Sequence, residues 1–301
     1  ESKMASVLAS LPQVRGLLQE RVSLGKRCWF GTGGLAEILF IPEDMDDLIG
    51  FLRNIRDDTK ITVLGAMSNV LIRSSGIRGI VIILGDWFKK IFVENDILEV
   101  GAAVHCGELS AAATDRELGG LEFLIGIPGT IGGAVKMNAG CHGSEIANAL
   151  IECEIVTLSG QIKWLKASDM GFGYRTSGIS DELIVTRAWF RGIPNIDYSI
   201  DRKIKQLLSK RSSNQPTNIK TCGSTFKNPK GKNAWELIEA AGCRGMRFGG
   251  AAISDKHCNF IVNENNATPE DIETLGEKVI EKVFENSGIR LEWEIIRLGD
   301  K

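Results

Sequence analysis

No C-x-x-C pair occurs among the seven cysteines of this 301-residue chain, Cys28, Cys106, Cys141, Cys153, Cys222, Cys243 and Cys258. Their odd number and scattered positions indicate neither a zinc site nor a disulfide framework, so buried reduced thiols are expected. There is no run of about 18 apolar residues, and the stretch ESKMASVLASLPQ has no basic segment followed by an apolar one. The expectation is a soluble, cytoplasmic protein with no membrane span. An excess of one charge is also missing, since 36 basic against 38 acidic side chains give a formal net charge of −2. Nothing in that balance suggests a nucleic-acid partner or a polybasic membrane anchor. Internal repeats and low-complexity tracts are absent too.

What is present is an ordinary globular composition, 43% hydrophobic and 25% charged, long enough for two or three units of about 100 to 150 residues. Val7, Leu8, Leu11, Val14, Leu17 and Leu18 fall at helical spacing and predict a helix over about 4–24. After a glycine-rich turn, AEILFIP alternates as a strand, and EDMDDLIGFLRNIRD forms a helix with acids in its first turn, where the dipole favours them. ITVLG, VLIR and GIVIIL read as short strands. KKIFVEND and ILEVGAAV are strands about an Asn-Asp turn, ELSAAATDREL is helical, ALIECEIVTLSGQIKWLKA is a hairpin turning at Ser159-Gly160, and ELIVTRAWFRG is another strand. Beyond Pro194 and Asn195, SIDRKIKQLLSKRS, KNAWELIEAAG and TPEDIETLGEKVIEKVFENSG are helices, the last capped by Thr268, with Pro269 in its first turn and Gly288 at its end. IRLEWEIIRL closes the chain as an alternating strand. The fold class is α+β, in three consecutive segments, 1–85, 86–196 and 197–301.

Two glycine-rich stretches invite a ligand. In VLGAMSNVLIRSSGIRGIVI, a strand enters a loop of small residues, Gly65, Ala66, Met67, Ser68, Asn69 and Val70, whose successive N–H groups can cradle a phosphate. Read by itself, a tight hairpin explains that stretch equally well. In GIPGTIGGAVKMNAG, a sharp turn over Gly126, Ile127, Pro128 and Gly129 feeds a short helix. Unpaired N–H groups near Thr130 to Gly133 are expected to favour an anion. Gly126, Gly129, Gly132 and Gly133, with Ala134 after them, let a flat ligand or its diphosphate lie against the main chain; close packing of helix on strand is the plainer alternative.

The order VLGAMSNVLI, GLEFLIGIPGTIGGAVKMNAG, YRTSG, KTCGSTFKNP, KHCNFIVN and GIRLEWEI resembles the bacterial UDP-N-acetylenolpyruvoylglucosamine reductases, over about residues 25 to 298. The lack of a long insertion after the Tyr-Arg motif resembles the shorter, type II, subtype. The resemblance implies a two-part FAD-binding domain of the vanillyl-alcohol-oxidase (PCMH) type in segments 1–85 and 86–196, then an α+β substrate domain in 197–301. It implies FAD and NADPH as cofactors and UDP-N-acetylglucosamine enolpyruvate as substrate in peptidoglycan precursor synthesis. The sequence does not reveal the oligomeric state, and a monomer is expected. No separate G-x-G-x-x-G unit is expected, because the nicotinamide shares the substrate cleft.

Three residues match the family's catalytic positions. Arg175 in YRTSG is implied to hold the substrate carboxylate, Ser224 in CGSTF to donate the proton, and Glu294 in LEWEI to assist the enol. Without the family these read as an ion-pair arginine, a turn serine and a solvent-facing acid; Glu292 shares the expected strand face with Glu294, and spacing does not choose between them. Arg211, Lys227, Asn228 and His257 are candidate substrate contacts. Three departures stand out. Met67 replaces a usual glycine, and the backbone cradle is expected to survive only if that residue points away with negative φ; Cys28 replaces a usual threonine; Cys141-His142 replaces a small residue followed by Tyr. A sister oxidoreductase of the same FAD fold and a catalytically silent nucleotide-binding protein are the rival readings. Ser224, Glu294 and KHCNF together distinguish the reductase from the first, and flavin absorbance distinguishes it from the second.

Overall fold

The computed structural model describes residues 7–194, 199–215 and 219–301. Residues 4–6 of the expected first helix, Asn195 and the boundary at 196/197 lie outside these. In chain order the main elements begin with strands β1 (Leu17–Ser23) and β2 (Leu35–Ile41), helix α1 (Met45–Asn54), and strands β3 (Ile61–Leu64), β4 (Val70–Ile72), β5 (Ile77–Ile83), β6 (Ile91–Glu94) and β7 (Ile97–Gly101). Helices α2 (Cys106–Asp115) and α3 (Ile131–Met137) precede strands β8 (Leu150–Thr157), β9 (Ile162–Lys166) and β10 (Leu183–Arg191). Helix α4 (Ser199–Asn214), strand β11 (Lys220–Ser224), helix α5 (Ala234–Ala240), strands β12 (Arg247–Phe248), β13 (Ala251–Ile253) and β14 (Phe260–Asn263), helix α6 (Pro269–Ser287) and strand β15 (Ile296–Leu298) complete the chain.

Two compact units result, and neither is a continuous segment. Unit 1 takes residues 1–21, 37–65 and 79–209; unit 2 takes 22–36, 66–78 and 210–301. Compactness therefore groups the chain differently from the three consecutive segments expected. In unit 1, a five-stranded antiparallel sheet runs β9-β8-β10-β7-β6. Leu98, Val100, Leu109, Ile131, Val135 and Phe190 are buried in its core. Most of a second sheet, β1-β2-β5-β3, lies in the same unit, where Phe40, Leu48, Phe51 and Ile82 form another core. In unit 2, antiparallel strands β11-β14-β13-β12 carry α5 and α6 over a third core containing Phe226, Ile261, Leu275 and Val279, while β4 pairs in parallel with β15.

The expected helix over 4–24 is corrected. Residues Val7–Ser10 make one 3-10 turn, and Leu17–Ser23 form β1. Pro12 breaks the helical run, and Asp47 takes the chain in hand instead: its carboxylate accepts from the N–H groups of Arg15, Gly16 and Glu43, each at 2.9 Å. The final expected strand shortens for a related reason. Only Ile296–Leu298 is regular, because Glu292, Trp293, Glu294 and Ile295 pair irregularly with Thr225 to Lys227.

Other expectations match the fold. The hairpin turns with Gly160 at φ +83°, and Asn95 turns between β6 and β7 at φ +55°. Helix α1 opens on Asp44, whose side chain accepts from Asp47 N–H, and α6 opens on Thr268, closed by left-handed Gly288. All seven cysteines are free, six of them buried. Burial pushes the Cys28 thiol up to about 11 and Cys106 and Cys153 up to about 12, so these are protonated fillers rather than nucleophiles.

Candidate active site

Within unit 1, Gly65 meets the second glycine stretch at Thr130. A Cβ added to Gly65 would lie 2.6 Å from the Thr130 hydroxyl, so the end of β3 and the start of α3 touch. Residues 129–131 are strapped to 104–106: Cys106 N–H donates to Gly129 O and Ile131 N–H to Val104 O, each at 2.9 Å. Gly132 N–H donates to Ala102 O at 2.9 Å. The expectation of free donors from Thr130 to Gly133 is thus corrected, since Ile131 and Gly132 are spent on packing. Thr130 sits in a non-hydrogen-bonded antiparallel pair with His105, which turns its own N–H away from the strap. Gly129 takes φ +111°, and a Cβ on Gly133 would meet nothing within 4 Å. Gly126 is different: a Cβ there would come 3.2 Å from the Cys141 sulfur, whose thiol donates to Phe123 O at 3.1 Å. Cys141 therefore fills the underside of the 122–126 turn.

Arg175 is placed by the same unit. The YRTSG loop is clamped by Asn138, a fully buried residue in the left-handed region at φ +46°, which was not anticipated from the sequence. Its Nδ2 donates to Gly173 O at 2.9 Å and its Oδ1 accepts from Ala147 N–H at 3.0 Å. Ser177 Oγ donates to Lys136 O at 2.6 Å. Arg175, itself at φ +52°, lays its guanidinium over the Tyr174 ring at 5.0 Å and beside Gly140, where a Cβ would be 3.0 Å from its Nη1. The signal for Asn138 was available: an asparagine closing a helix just before Ala-Gly is a left-handed cap.

Unit 2 brings Ser224 and Glu294 together. Ser224 ends β11, and the next residue, buried Thr225, accepts Glu294 N–H at its carbonyl at 2.8 Å. Phe226 and Trp293 form a bridge, and Lys227 N–H donates to Glu292 O at 2.9 Å. Buried Asn259, in the KHCNF run, fixes this frame from the other side. Its Oδ1 accepts Phe226 N–H at 3.0 Å and its Nδ2 donates to Phe226 O at 2.9 Å. Glu294 is half-buried and Glu292 exposed, which separates the two acids that spacing left equal. The loop after β3 joins the group, since Asn69 Nδ2 donates to Glu294 O at 3.3 Å and Asn69 O accepts Ile296 N–H at 3.0 Å.

The candidate substrate residues differ in what they are free to do. Asn228 Oδ1 accepts Ala234 N–H at 2.9 Å and so caps α5. His257 is half-buried, stacks on Phe260 at 4.6 Å between ring centroids, and accepts Asn259 N–H at Nδ1 at 3.1 Å. Burial lowers its pKa, so the neutral ring carries its proton on Nε2. Lys227 and Arg211 are half-buried, Arg211 in the last turn of α4. A surface cavity of about 910 Å³ lies elsewhere in unit 2, along α6, and is rimmed by Arg73, Glu273 and Arg290 among others. No expected site residue lines it.

The condition set for the cradle at Met67 is not met, and it is the condition that is corrected, since a left-handed residue flanked by residues of negative φ also converges its N–H groups. Met67 stands at φ +53°, not at negative φ, with its side chain buried. The Cys28 thiol lies 3.8 Å from its sulfur, so two of the three departures touch each other.

The residues present fit a flavin dinucleotide: the main chain is open at Gly133, Gly129 takes φ +111°, and the N–H of Thr130 faces away from its strap. Residues 36–166 match the family model described as an FAD binding domain, and residues 215–298 match the C-terminal domain of UDP-N-acetylenolpyruvoylglucosamine reductase. The 6-hydroxy-D-nicotine oxidase of Arthrobacter nicotinovorans shares the fold, with a TM-score of 0.53 at 12% identity over 93% of this chain and 88% of that one. The class is therefore an FAD-dependent oxidoreductase of PCMH-type fold. A UDP-N-acetylenolpyruvoylglucosamine reductase of Bradyrhizobium is 45% identical over 294 residues, 97% of this chain and 96% of the relative. The crystal structure of the reductase from Thermus caldophilus superposes with a TM-score of 0.83 at 34% identity, over 94% of this chain and 100% of that one. The chain belongs to the UDP-N-acetylenolpyruvoylglucosamine reductase family, whose step serves peptidoglycan precursor synthesis. Among the described residues no helix is long and apolar enough to cross a membrane.

Proposed function

We propose that the protein reduces the enolpyruvyl ether of UDP-N-acetylglucosamine enolpyruvate to the lactyl ether of UDP-N-acetylmuramate at the expense of NADPH. FAD, held by the 65–70 and 126–134 stretches, would supply the two-electron chemistry that couples NADPH oxidation to reduction of the vinyl ether at its terminal carbon. The chain's own residues manage the charge that results. Negative charge develops on the neighbouring substrate carbon and spreads into its carboxylate. Arg175, permanently charged and held in a loop clamped by Asn138, balances that carboxylate. Ser224 Oγ gives its proton to the carbon, forming the new C–H bond, and solvent restores the hydroxyl. Glu294 lies beside the carboxylate as a protonated or water-bridged partner that stabilises the enol.

Gly65 to Val70 and Gly126 to Ala134 hold the cofactor. Arg211, Lys227 and His257 face the nucleotide, while Asn228 acts mainly through the cap it gives α5. Segments 1–85 and 86–196 supply the FAD-binding part and 197–301 the substrate part, with 22–36 and 66–78 packed into the latter.

The observation that carries this reading is the hydrogen bond from Glu294 N–H to Thr225 O at 2.8 Å, which sets the glutamate beside the serine's strand end. The test is NADPH oxidation with and without the enolpyruvyl nucleotide, in the wild type and in Ser224→Ala. Flavin reduction by NADPH should stay near the wild-type rate while substrate turnover falls about 10²- to 10⁴-fold. Undiminished turnover would remove Ser224 from the mechanism.

A further inference from the structure

We infer that Met67, seated on a sulfur shelf made with Cys28 and Cys222, is a positioning residue that holds the 65–70 loop in its cofactor-binding shape before FAD arrives. The inference rests on reading that loop as part of the FAD site.

A non-glycine residue in the left-handed region is held there only by its surroundings, and at Met67 these are specific. The side chain is 5% exposed, above Cys28 at 6% and Cys222 at 4%. Its sulfur meets the Cys28 thiol at 3.8 Å. Its carbonyl accepts Trp29 N–H at 3.1 Å, with the Cys222 thiol 4.0 Å away. The same thiol lies 3.6 Å from Val70 O, so one cysteine reaches both ends of the turn. Burial keeps both thiols protonated, with Cys28 pushed up to about 11 and Cys222 also raised.

The consequence follows from peptide geometry. Among the described residues all peptide bonds are trans, so a C=O and the next N–H point in opposite directions. With Met67 O drawn down to Trp29 and Cys222, Ser68 N–H faces away from the shelf. A left-handed residue among residues of negative φ is also the backbone pattern in which successive N–H groups converge on an anion. Glycine at 67 would permit this shape but would not enforce it. Methionine, unbranched and polarizable, sets its sulfur against the Cys28 thiol while its carbonyl faces the Cys222 thiol, and a β-branched side chain is disfavoured at this φ.

The experiment measures FAD binding to the apoproteins by flavin fluorescence, alongside their melting temperatures without FAD. The variants are Met67→Leu, Met67→Gly, Met67→Val and Cys28→Ala, with Gly65→Val as a direct block of the loop. Leucine should bind FAD within about threefold of the wild type, glycine about three- to tenfold more weakly, and valine more than about tenfold more weakly. For the glycine variant the loss should exceed anything its melting temperature explains. Should the valine variant not fold, Cys28→Ala, which removes only the shelf, should still weaken FAD about threefold. If Gly65→Val loses FAD while the Met67 and Cys28 variants bind like the wild type, the positioning role is wrong and the loop assignment stands. Undiminished FAD binding by Gly65→Val would sink the loop assignment and the inference with it.

Discussion

Each unit ties its candidate residues in place with a buried asparagine, and the two do it differently. In unit 1, Asn138 reaches outward from the end of α3 to a 3-10 turn and a loop, through Ala147 N–H and Gly173 O. In unit 2, Asn259 spends both ends of its carboxamide on a single residue, Phe226, as a strand neighbour would. The first is a clamp across irregular backbone, and it needs a left-handed residue to aim it. The second imitates one rung of a β-ladder and extends a sheet past the point where its strand stops. Under the proposed roles, a clamped loop suits Arg175, whose guanidinium can adjust its fork, and a rigid frame suits proton delivery by Ser224.

The comparison is broken most directly by deleting each carboxamide. Asn259→Ala leaves buried Phe226 N–H and C=O without their partner and should lower unfolding free energy by about 2–4 kcal/mol, read from urea midpoints. Asn138→Ala should cost about 2–3 kcal/mol and raise KM for the enolpyruvyl nucleotide through Arg175. Asn138→Gly sharpens the point, since it frees the backbone at φ +46° but removes both bonds; stability equal to wild type would make the residue's conformation, not its hydrogen bonds, the useful property.

A smaller effect is acid sensitivity centred on unit 2. His257, lowered by burial from its ordinary 6.5, is neutral in the fold. The unfolded chain takes up the proton first, so this contribution is whole above about pH 6.5 and declines as pH drops from there through the depressed native value. His257→Gln should flatten the change in urea midpoint between about pH 5 and about pH 7.5. Smallest is Thr268→Ala, which removes the cap donated to by Asp271 N–H at 3.1 Å and should cost about 1 kcal/mol, with exchange protection lost only at the start of α6.

Much of this fold was legible because periodic segments declare themselves: α1, α6 and the β8–β9 hairpin follow from spacing, caps and Gly160. The first helix misled because apolar spacing at 7–18 satisfies a helix, while what decides the matter, the Asp47 carboxylate gathering three N–H groups, lies about thirty positions away. The glycine stretches announced a backbone meant to be approached. They did not reveal that Ile131 and Gly132 had already committed their donors to Val104 and Ala102, because strap partners leave no mark in local sequence. The choice of Glu294 over Glu292 came from family likeness; the structure adds that Glu294 is half-buried and Glu292 exposed. Met67 was visible as an oddity, but its meaning needed Cys28 beside it.

The pairing of Val70 with Ile296 has a consequence for synthesis. Asn69 waits for the Glu294 carbonyl through 225 further positions of chain, roughly ten to forty-five seconds on a ribosome. For that interval β4 and the sulfur-lined turn before it have no partner strand, and a nascent chain arrested in that window would present a chaperone with an unpaired apolar strand.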